Sequence, residues 1–215
     1  MTVPAEAPLD CPLCPRLVAY RRDNDAAHPD WFNAPVPSFG DANARLLIVG
    51  LAPGVQGANR TGRPFTGDYA GDLLYGTMHR FGFSRGTFQA RPDDGLELVE
   101  AALTNAVRCV PPQNKPTGPE IATCRKFLVA AIADNPQATV FVALGRIAHD
   151  SLLSALAERR AAFPFGHGRE HELSDGRVLF DSFHCSRYNT NTGRLTTEMF
   201  EDVVGRAAER VRSRN

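Results

Sequence analysis

The sequence predicts an α/β fold, a three-layer α/β/α sandwich around a central, mostly parallel four-stranded sheet. Three observations carry that expectation. Short unbroken apolar runs, of which Arg45-Leu-Leu-Ile-Val-Gly50 is the clearest, read as strands buried on both faces. These runs alternate with stretches of helical periodicity, the pattern of βαβ crossovers in a parallel sheet. The chemically unusual residues gather directly after the apolar runs, where open α/β sheets place their ligands.

Taken in order, Pro15–Ala27 reads as a helix, and the segment after it, with Pro29, Trp31, Pro35 and Pro37, reads as a loop. Arg45–Gly50 is the first strand. A glycine-rich loop runs on to Asp68, and 71–80 reads as a helix. Ala101–Val107 is the second strand, stopped by Cys109-Val-Pro-Pro112. Glu120–Asp134 has helical periodicity, with Ile121, Cys124, Phe127, Leu128 and Ala131 on one side. Thr139–Leu144 is the third strand, closed by Gly145 and a helix to Glu158. Arg177–Phe183 is the fourth strand and Thr196–Val211 the last helix. Internal repeats and low-complexity linkers are absent, so residues 1–215 are expected to form a single domain, with 1–10 as a flexible tail.

Composition narrows the function classes. Lys+Arg and Asp+Glu number 24 each, so no global basic field announces a nucleic-acid partner, and DNA binding must rest on a local patch. The segment Met1–Asp10 lacks a charged n-region and an apolar h-region, and runs such as Phe127–Ala133 are far short of a membrane span. With five cysteines, an odd number, free thiols or metal ligands are expected rather than disulfides. A soluble, cytoplasmic protein with no membrane partner is expected.

Four of those cysteines form two distant dyads: Cys11 with Cys14, and Cys109 with Cys124. Four thiolates make a full ligand set for zinc or for a [4Fe–4S] cluster. A zinc ribbon closes its ligands within a short stretch, whereas here the second dyad comes from another part of the chain, which favours the cluster. The loop Gly50–Asp68 carries Gly50, Gly54, Gly57, Gly62 and Gly67, so its backbone can approach a ligand closely. It has no Gly-Lys-[Ser/Thr] ending, which argues against nucleoside triphosphate binding. His184 through Arg194 is polar almost throughout and directly follows a strand. Cys185 is the neighbour of His184, but adjacent residues on an extended chain face opposite ways, so a Cys185–His184 nucleophile pair is not expected.

These motifs resemble family 5 (type b) uracil-DNA glycosylases, within the superfamily that also holds the iron–sulfur family 4 enzymes. The resemblance lies in Gly50-Leu-Ala-Pro-Gly54, Asn59-Arg-Thr-Gly-Arg-Pro-Phe-Thr-Gly-Asp68, Leu103-Thr-Asn-Ala-Val-Arg-Cys-Val-Pro-Pro112, Asn114-Lys-Pro116, and His184 with Asn191-Thr-Gly-Arg-Leu195. The four-cysteine spacing belongs to it as well. It implies a monofunctional glycosylase that removes uracil and other deaminated bases, hypoxanthine among them, from double-stranded DNA. It also implies a [4Fe–4S] cluster on Cys11, Cys14, Cys109 and Cys124. A monomeric protein is expected. A narrower family 4-type uracil enzyme and a cluster-stabilised DNA-binding module remain as alternatives.

The resemblance assigns His184 to the departing base, as a donor to uracil O2, and Phe65 to stacking. Asn105 at a strand end carries an amide that can both donate to and accept from the base edge. Ala52 and Gly54 line the base site. Where related families carry an acid or amide for the attacking water, this chain has Leu51, and Asp68 is the nearest acidic candidate; its other reading is a helix N-cap. Arg60, Arg63, Lys115, Ser186, Arg187, Tyr188, Asn191 and Arg194 are expected at the DNA, with Arg187 or Tyr188 as the wedge that fills the vacated stack. The third motif departs from its commoner form, which has prolines where this chain has Cys185 and Arg187.

Overall fold

A computed structural model of the protein describes residues 6–213. Its elements are α1 (Pro15–Ala27), β1 (Phe39–Gly40), β2 (Leu46–Gly50), α2 (Ala58–Thr61), α3 (Tyr69–Arg80), β3 (Ser84–Arg85), β4 (Glu97–Leu98) and β5 (Ala101–Asn105). They continue with α4 (Gly118–Ala133), β6 (Val140–Leu144), α5 (Arg146–Ala155), β7 (Glu170–Glu172), β8 (Val178–Ser182), α6 (Arg187–Asn191) and α7 (Thr197–Ser213). No described helix is long and apolar enough to cross a membrane.

The main sheet has the order β1-β5-β2-β6-β8-β7. Its inner four strands are parallel and correspond to the four apolar runs; β1 and β7 pair antiparallel at the edges. The expected four-stranded sheet is therefore six-stranded. The two extra strands are two and three residues long, too short to show an alternating pattern in sequence. A separate ribbon of β3 and β4 was also missed for the same reason.

The strands read as continuous apolar runs because both faces are covered, and the side-chain alternation sorts each run into two layers. Leu46, Ile48, Leu103, Val140, Val142 and Phe180 face Leu74 and Met78 of α3 and Phe200, Val204 and Ala208 of α7. Leu47, Val49, Ala102, Phe141, Ala143 and Leu179 face Leu128 and Ile132 of α4 and Leu152 of α5. Helix α4 starts on a capping box: Thr117 accepts from the Glu120 N–H, and Glu120 accepts in return from the Thr117 N–H. Within the expected N-terminal tail, Met1–Ala5 lie outside the described residues. Glu6 accepts from the Ser38 N–H at 3.0 Å, and the Leu9 carbonyl accepts from Arg21 at 2.8 Å.

One polar cluster interrupts the core beneath β8. Asp181, fully buried, meets His149 Nδ1 at 2.6 Å and His171 Nε2 at 2.9 Å, and accepts from the Gly166 N–H at 3.1 Å. His149 Nε2 donates to the Phe163 carbonyl at 2.8 Å. The three side chains lie close enough to share a metal ion, but both carboxylate–imidazole separations are those of direct hydrogen bonds. The cluster fastens 163–171 to the strand that leads to His184. Replacing Asp181 by Ala leaves two buried imidazoles and the Gly166 N–H without their partner, and should cost about 3–5 kcal/mol of stability. Urea unfolding would register this as a lower midpoint at an unchanged slope.

Candidate functional site

The carboxyl ends of β2, β6 and β8 open onto a cleft of about 720 Å³. Strand β2 has β5 on one side and β6 on the other, so the cleft lies at the topological switch point of the sheet. Ala52, Gly54, Asp68, His184, Ser186, Arg187 and Tyr188 of the expected site line it, together with Leu51. Asn114, quoted above within a resembling stretch, lines it too, and so do Gln56, Tyr69, Gly145, Arg146 and Ile147, which were not singled out from sequence. For Gly145 and Arg146 a signal existed: they stand at the end of the third predicted parallel strand.

Phe65 and Asn105 lie buried beside this cleft rather than on its open wall. Asn105 ends β5 and pairs in register with Gly50. A Cβ placed on Gly50 would stand 2.5 Å from both Asn105 Oδ1 and Phe65 Cζ, so the two side chains meet over a bare glycine. The Phe65 and His184 rings are 6.2 Å apart and tilted by 33°. Phe65 has φ +53°, a left-handed backbone conformation that is an outlier for a bulky residue. The stacking ring, the amide and the imidazole expected around a base thus converge.

Asp68 takes up the capping role of its two sequence readings, and its second oxygen faces the glycine loop. It N-caps α3, with Oδ1 accepting from the Ala70 N–H at 3.2 Å. Its Oδ2 turns back onto the glycine loop, 3.0 Å from where a Cβ on Gly54 would sit and 2.3 Å from one on Gly57. Burial raises its carboxyl above the ordinary carboxylate value. His184 is half-buried, and desolvation lowers its imidazole to about 4, which leaves it neutral at pH near 7. Cys185 points the other way, fully buried, with its thiol 3.6 Å from the Ala70 carbonyl and pushed up to about 12 by burial.

The expected DNA-facing residues divide. Tyr188 is 73% exposed at the start of α6, a short helix capped by Ser186 within the polar segment after β8. Arg187 lies over the Tyr69 ring at 5.5 Å, and Arg194 over the Phe183 ring at 4.5 Å beside an adjoining hollow. Lys115 and Asn191 are exposed, as is Arg60, whose Nε donates to the Gln56 carbonyl at 3.0 Å. Arg63 does not fit the expectation. It is 5% exposed, and both of its terminal nitrogens donate to the buried carboxylate of Asp94 at 2.7 Å. The guanidinium is fully committed inside the protein and cannot reach a phosphate.

On the far side of β5, Cys11, Cys14, Cys109 and Cys124 surround a small void with Leu17 and Phe127 packed around them. Cys14 is the N-cap residue of α1, Cys124 lies on α4, and Cys109 follows β5. Among the described residues no three of these sulfurs gather within 4.8 Å of one another. A tetrahedral zinc site with its short Zn–S bonds needs sulfurs about 3.8 Å apart, whereas a four-iron cube spaces its ligands more widely. Burial pushes the Cys109 thiol up to about 12 and Cys124 to about 11, so a cationic centre is what would make them thiolates. The Arg108 N–H already points at Cys124 Sγ, at 3.3 Å. The donor set fits an iron–sulfur cluster.

Comparison with known proteins places this geometry in a family. Residues 37–207 match the uracil DNA glycosylase superfamily. The chain is similar to the type-5 uracil-DNA glycosylase of Thermus thermophilus, 48% identical over 90% of each chain. It is also similar to the type-5 uracil-DNA glycosylase of Pyrobaculum aerophilum, 40% identical over 93% of this chain and 88% of that one. The type-4 uracil-DNA glycosylase of Sulfurisphaera tokodaii is more distant, 29% identical over 78% of this chain and 72% of its own.

The depressed imidazole of His184 makes stability depend on pH in a defined window. Between the ordinary value of 6.5 and about 4 the unfolded chain takes up a proton that the folded chain refuses. The contribution is therefore fully present above 6.5 and is lost as pH falls to about 4. A folded His184→Gln variant should lose less stability than the parent between about pH 7 and about pH 5, as read by urea midpoints.

Proposed function

The chain belongs to the uracil DNA glycosylase superfamily, in its type-5 branch, and from that premise we propose a monofunctional DNA glycosylase that hydrolyses the N-glycosidic bond of uracil in double-stranded DNA. The observation that carries the reading is the convergence of His184, Phe65 and Asn105 beside one cleft, with Asp68 on its wall.

The target atoms are buried in the base stack, so the nucleotide must be extruded before chemistry. The flipped base stacks on Phe65, and the Asn105 amide donates to O4 and accepts from N3–H. As the bond breaks, negative charge gathers on the base and positive charge on the sugar. A neutral imidazole can donate a hydrogen bond to O2 and stabilises that charge as it develops, without a cation already spent on the ground state. Leu51 cannot handle water. The Oδ2 face of Asp68 is the acidic group left to orient water or to face the cationic sugar, while Oδ1 holds the helix.

Tyr188 is the wedge in this reading, because it projects freely whereas Arg187 is engaged with Tyr69. Ser186, Arg187, Arg60, Lys115, Asn191 and Arg194 flank the strand, and the cleft walls are roomy enough for hypoxanthine as a second substrate. No lysine lines the described cleft, which supports hydrolysis without a Schiff base.

Incubation with a uracil-containing duplex, then alkaline cleavage, should give strand scission at the uracil; a hypoxanthine duplex should be cut as well, and binding without scission would leave only a DNA-binding module. In the same assay Asp68→Asn should slow single-turnover excision at least about tenfold, about 1.4 kcal/mol of barrier. Its thermal midpoint should hold, because Asn caps a helix about as well as Asp. Near-normal excision would confine Asp68 to capping.

We further propose that the four cysteines hold a [4Fe–4S] cluster with a structural role. Anaerobically purified protein should be brown and carry about four irons per chain, as that cluster type requires. Stoichiometric zinc without iron would overturn the assignment.

A further inference from the structure

Arg63 is the residue whose structure departs most from its sequence reading, and its surroundings suggest a different role. Its guanidinium makes a two-pronged ion pair with Asp94, whose side chain is fully buried, and its Nε donates to Thr66 Oγ1 at 2.8 Å. The planar group is enclosed by the rings of Phe39, Tyr75 and Phe88, with centroids 5.1, 5.5 and 5.6 Å away. Asp94 also accepts from the Gln89 and Leu96 N–H groups, at 2.9 and 3.0 Å. Every prong of the pair is satisfied, which is the condition under which a buried ion pair fixes one geometry.

What it fixes lies next to Phe65. Thr66, gripped by Arg63, donates its hydroxyl to the Pro64 carbonyl at 3.1 Å and accepts from the Thr61 hydroxyl, through its own carbonyl, at 2.9 Å. The Pro64 carbonyl also accepts from Tyr75 OH at 2.7 Å, and Tyr75 is one wall of the cage around Arg63. Phe65 sits between these two clamped residues with φ +53°. A strained residue of this kind persists only when its neighbours over-determine it.

We propose that the Arg63–Asp94 pair is a positioning element that holds Phe65 in its left-handed conformation, ring against the base site, and that neither residue contacts DNA. The inference rests on the reading of Phe65 as the stacking face. It gives the excursion between α3 and β5, which brings in Asp94 and Phe88, a part in base recognition although it lines no wall of the cleft.

The test uses Asp94→Asn and Arg63→Lys, with Phe65→Ala as reference, on uracil duplex and on an uncleavable duplex carrying an abasic-site analogue. Both positioning variants should slow single-turnover excision roughly tenfold to a hundredfold, the scale of an ångström-sized misplacement. Affinity for the uncleavable duplex, and its slope against salt, should stay at the parent values. A phosphate contact would instead weaken binding and lower the salt slope by about one. If Arg63→Lys fails to fold, Asp94→Asn decides alone. A slow Phe65→Ala beside folded positioning variants of parental rate would overturn this proposal only. Parental excision by Phe65→Ala would overturn the stacking reading itself.

Discussion

At the end of β2 the chain must pass between an amide and an aromatic ring, and only a residue without a side chain leaves room for both: a Cβ on Gly50 would lie 2.5 Å from Asn105 Oδ1 and from Phe65 Cζ. The parallel register that sets Gly50 opposite Asn105 fixes one of these neighbours. The other depends on a backbone inversion at Phe65, which in turn needs a second bare position, because a Cβ on Gly71 would meet the Phe65 carbonyl at 2.0 Å. These glycines thus serve different ends. Gly50 admits the Phe65 ring and the Asn105 amide, Gly71 at the start of α3 admits the Phe65 carbonyl, and Gly54 and Gly57 admit the carboxylate of Asp68. Any side chain at Gly50 or Gly71 would displace Asn105 or Phe65.

The electrostatics of the cleft follow from the same crowding. Desolvation pushes two of the ionisable groups on its walls toward their neutral forms, His184 downward and Asp68 upward. The His184 imidazole is therefore uncharged near pH 7, while the guanidinium groups of Arg146 and Arg187 stand on the same walls. In the proposed chemistry a neutral imidazole meets charge only when the glycosidic bond separates it, which is the condition for binding a transition state more tightly than a substrate. Leu51 stands in the place where an acid or amide would handle water. The proposed chemistry accordingly leans on stabilising the departing base more than on activating the nucleophile.

Much of this was legible in the sequence, and the exceptions have physical causes. The four inner strands were visible because burial on both faces leaves an unbroken apolar signature, while β1 and β7 were invisible because two or three residues hold no period. His184, Asn105 and Asp68 could be placed near the site because each follows or ends a parallel strand or its loop. Arg63 could not be read correctly. Its position among motif residues suggested a phosphate contact, and only the tertiary fold brings Asp94, thirty-one residues on, up to its guanidinium. Asp181 escaped notice for a related reason: an acidic residue in an apolar run looks like a blemish until His149 and His171, from α5 and β7, are seen to surround it. Periodicity reports which face is buried. It carries no record of which partner waits there.

The four cysteines bear on the site through the backbone rather than through its chemistry. Cys109 stands four residues beyond Asn105, and the intervening chain is tied on both sides. The Ala106 and Val107 N–H groups donate to the carbonyls of Gly50 and Leu51 at 2.9 and 3.0 Å, and the Arg108 N–H points to Cys124 Sγ at 3.3 Å. A group bound by the thiols would therefore clamp the segment that carries Asn105 against the end of β2, while the segment leading into α1, with Cys11 and Cys14, and Cys124 of α4 would supply the remaining ligands from outside the sheet. The layout separates the duties by distance. Ligation by the proposed cluster would fix where the amide sits and leave the open cleft on the other side of Gly50 free for DNA, the arrangement expected when a cofactor supports geometry and takes no part in bond cleavage.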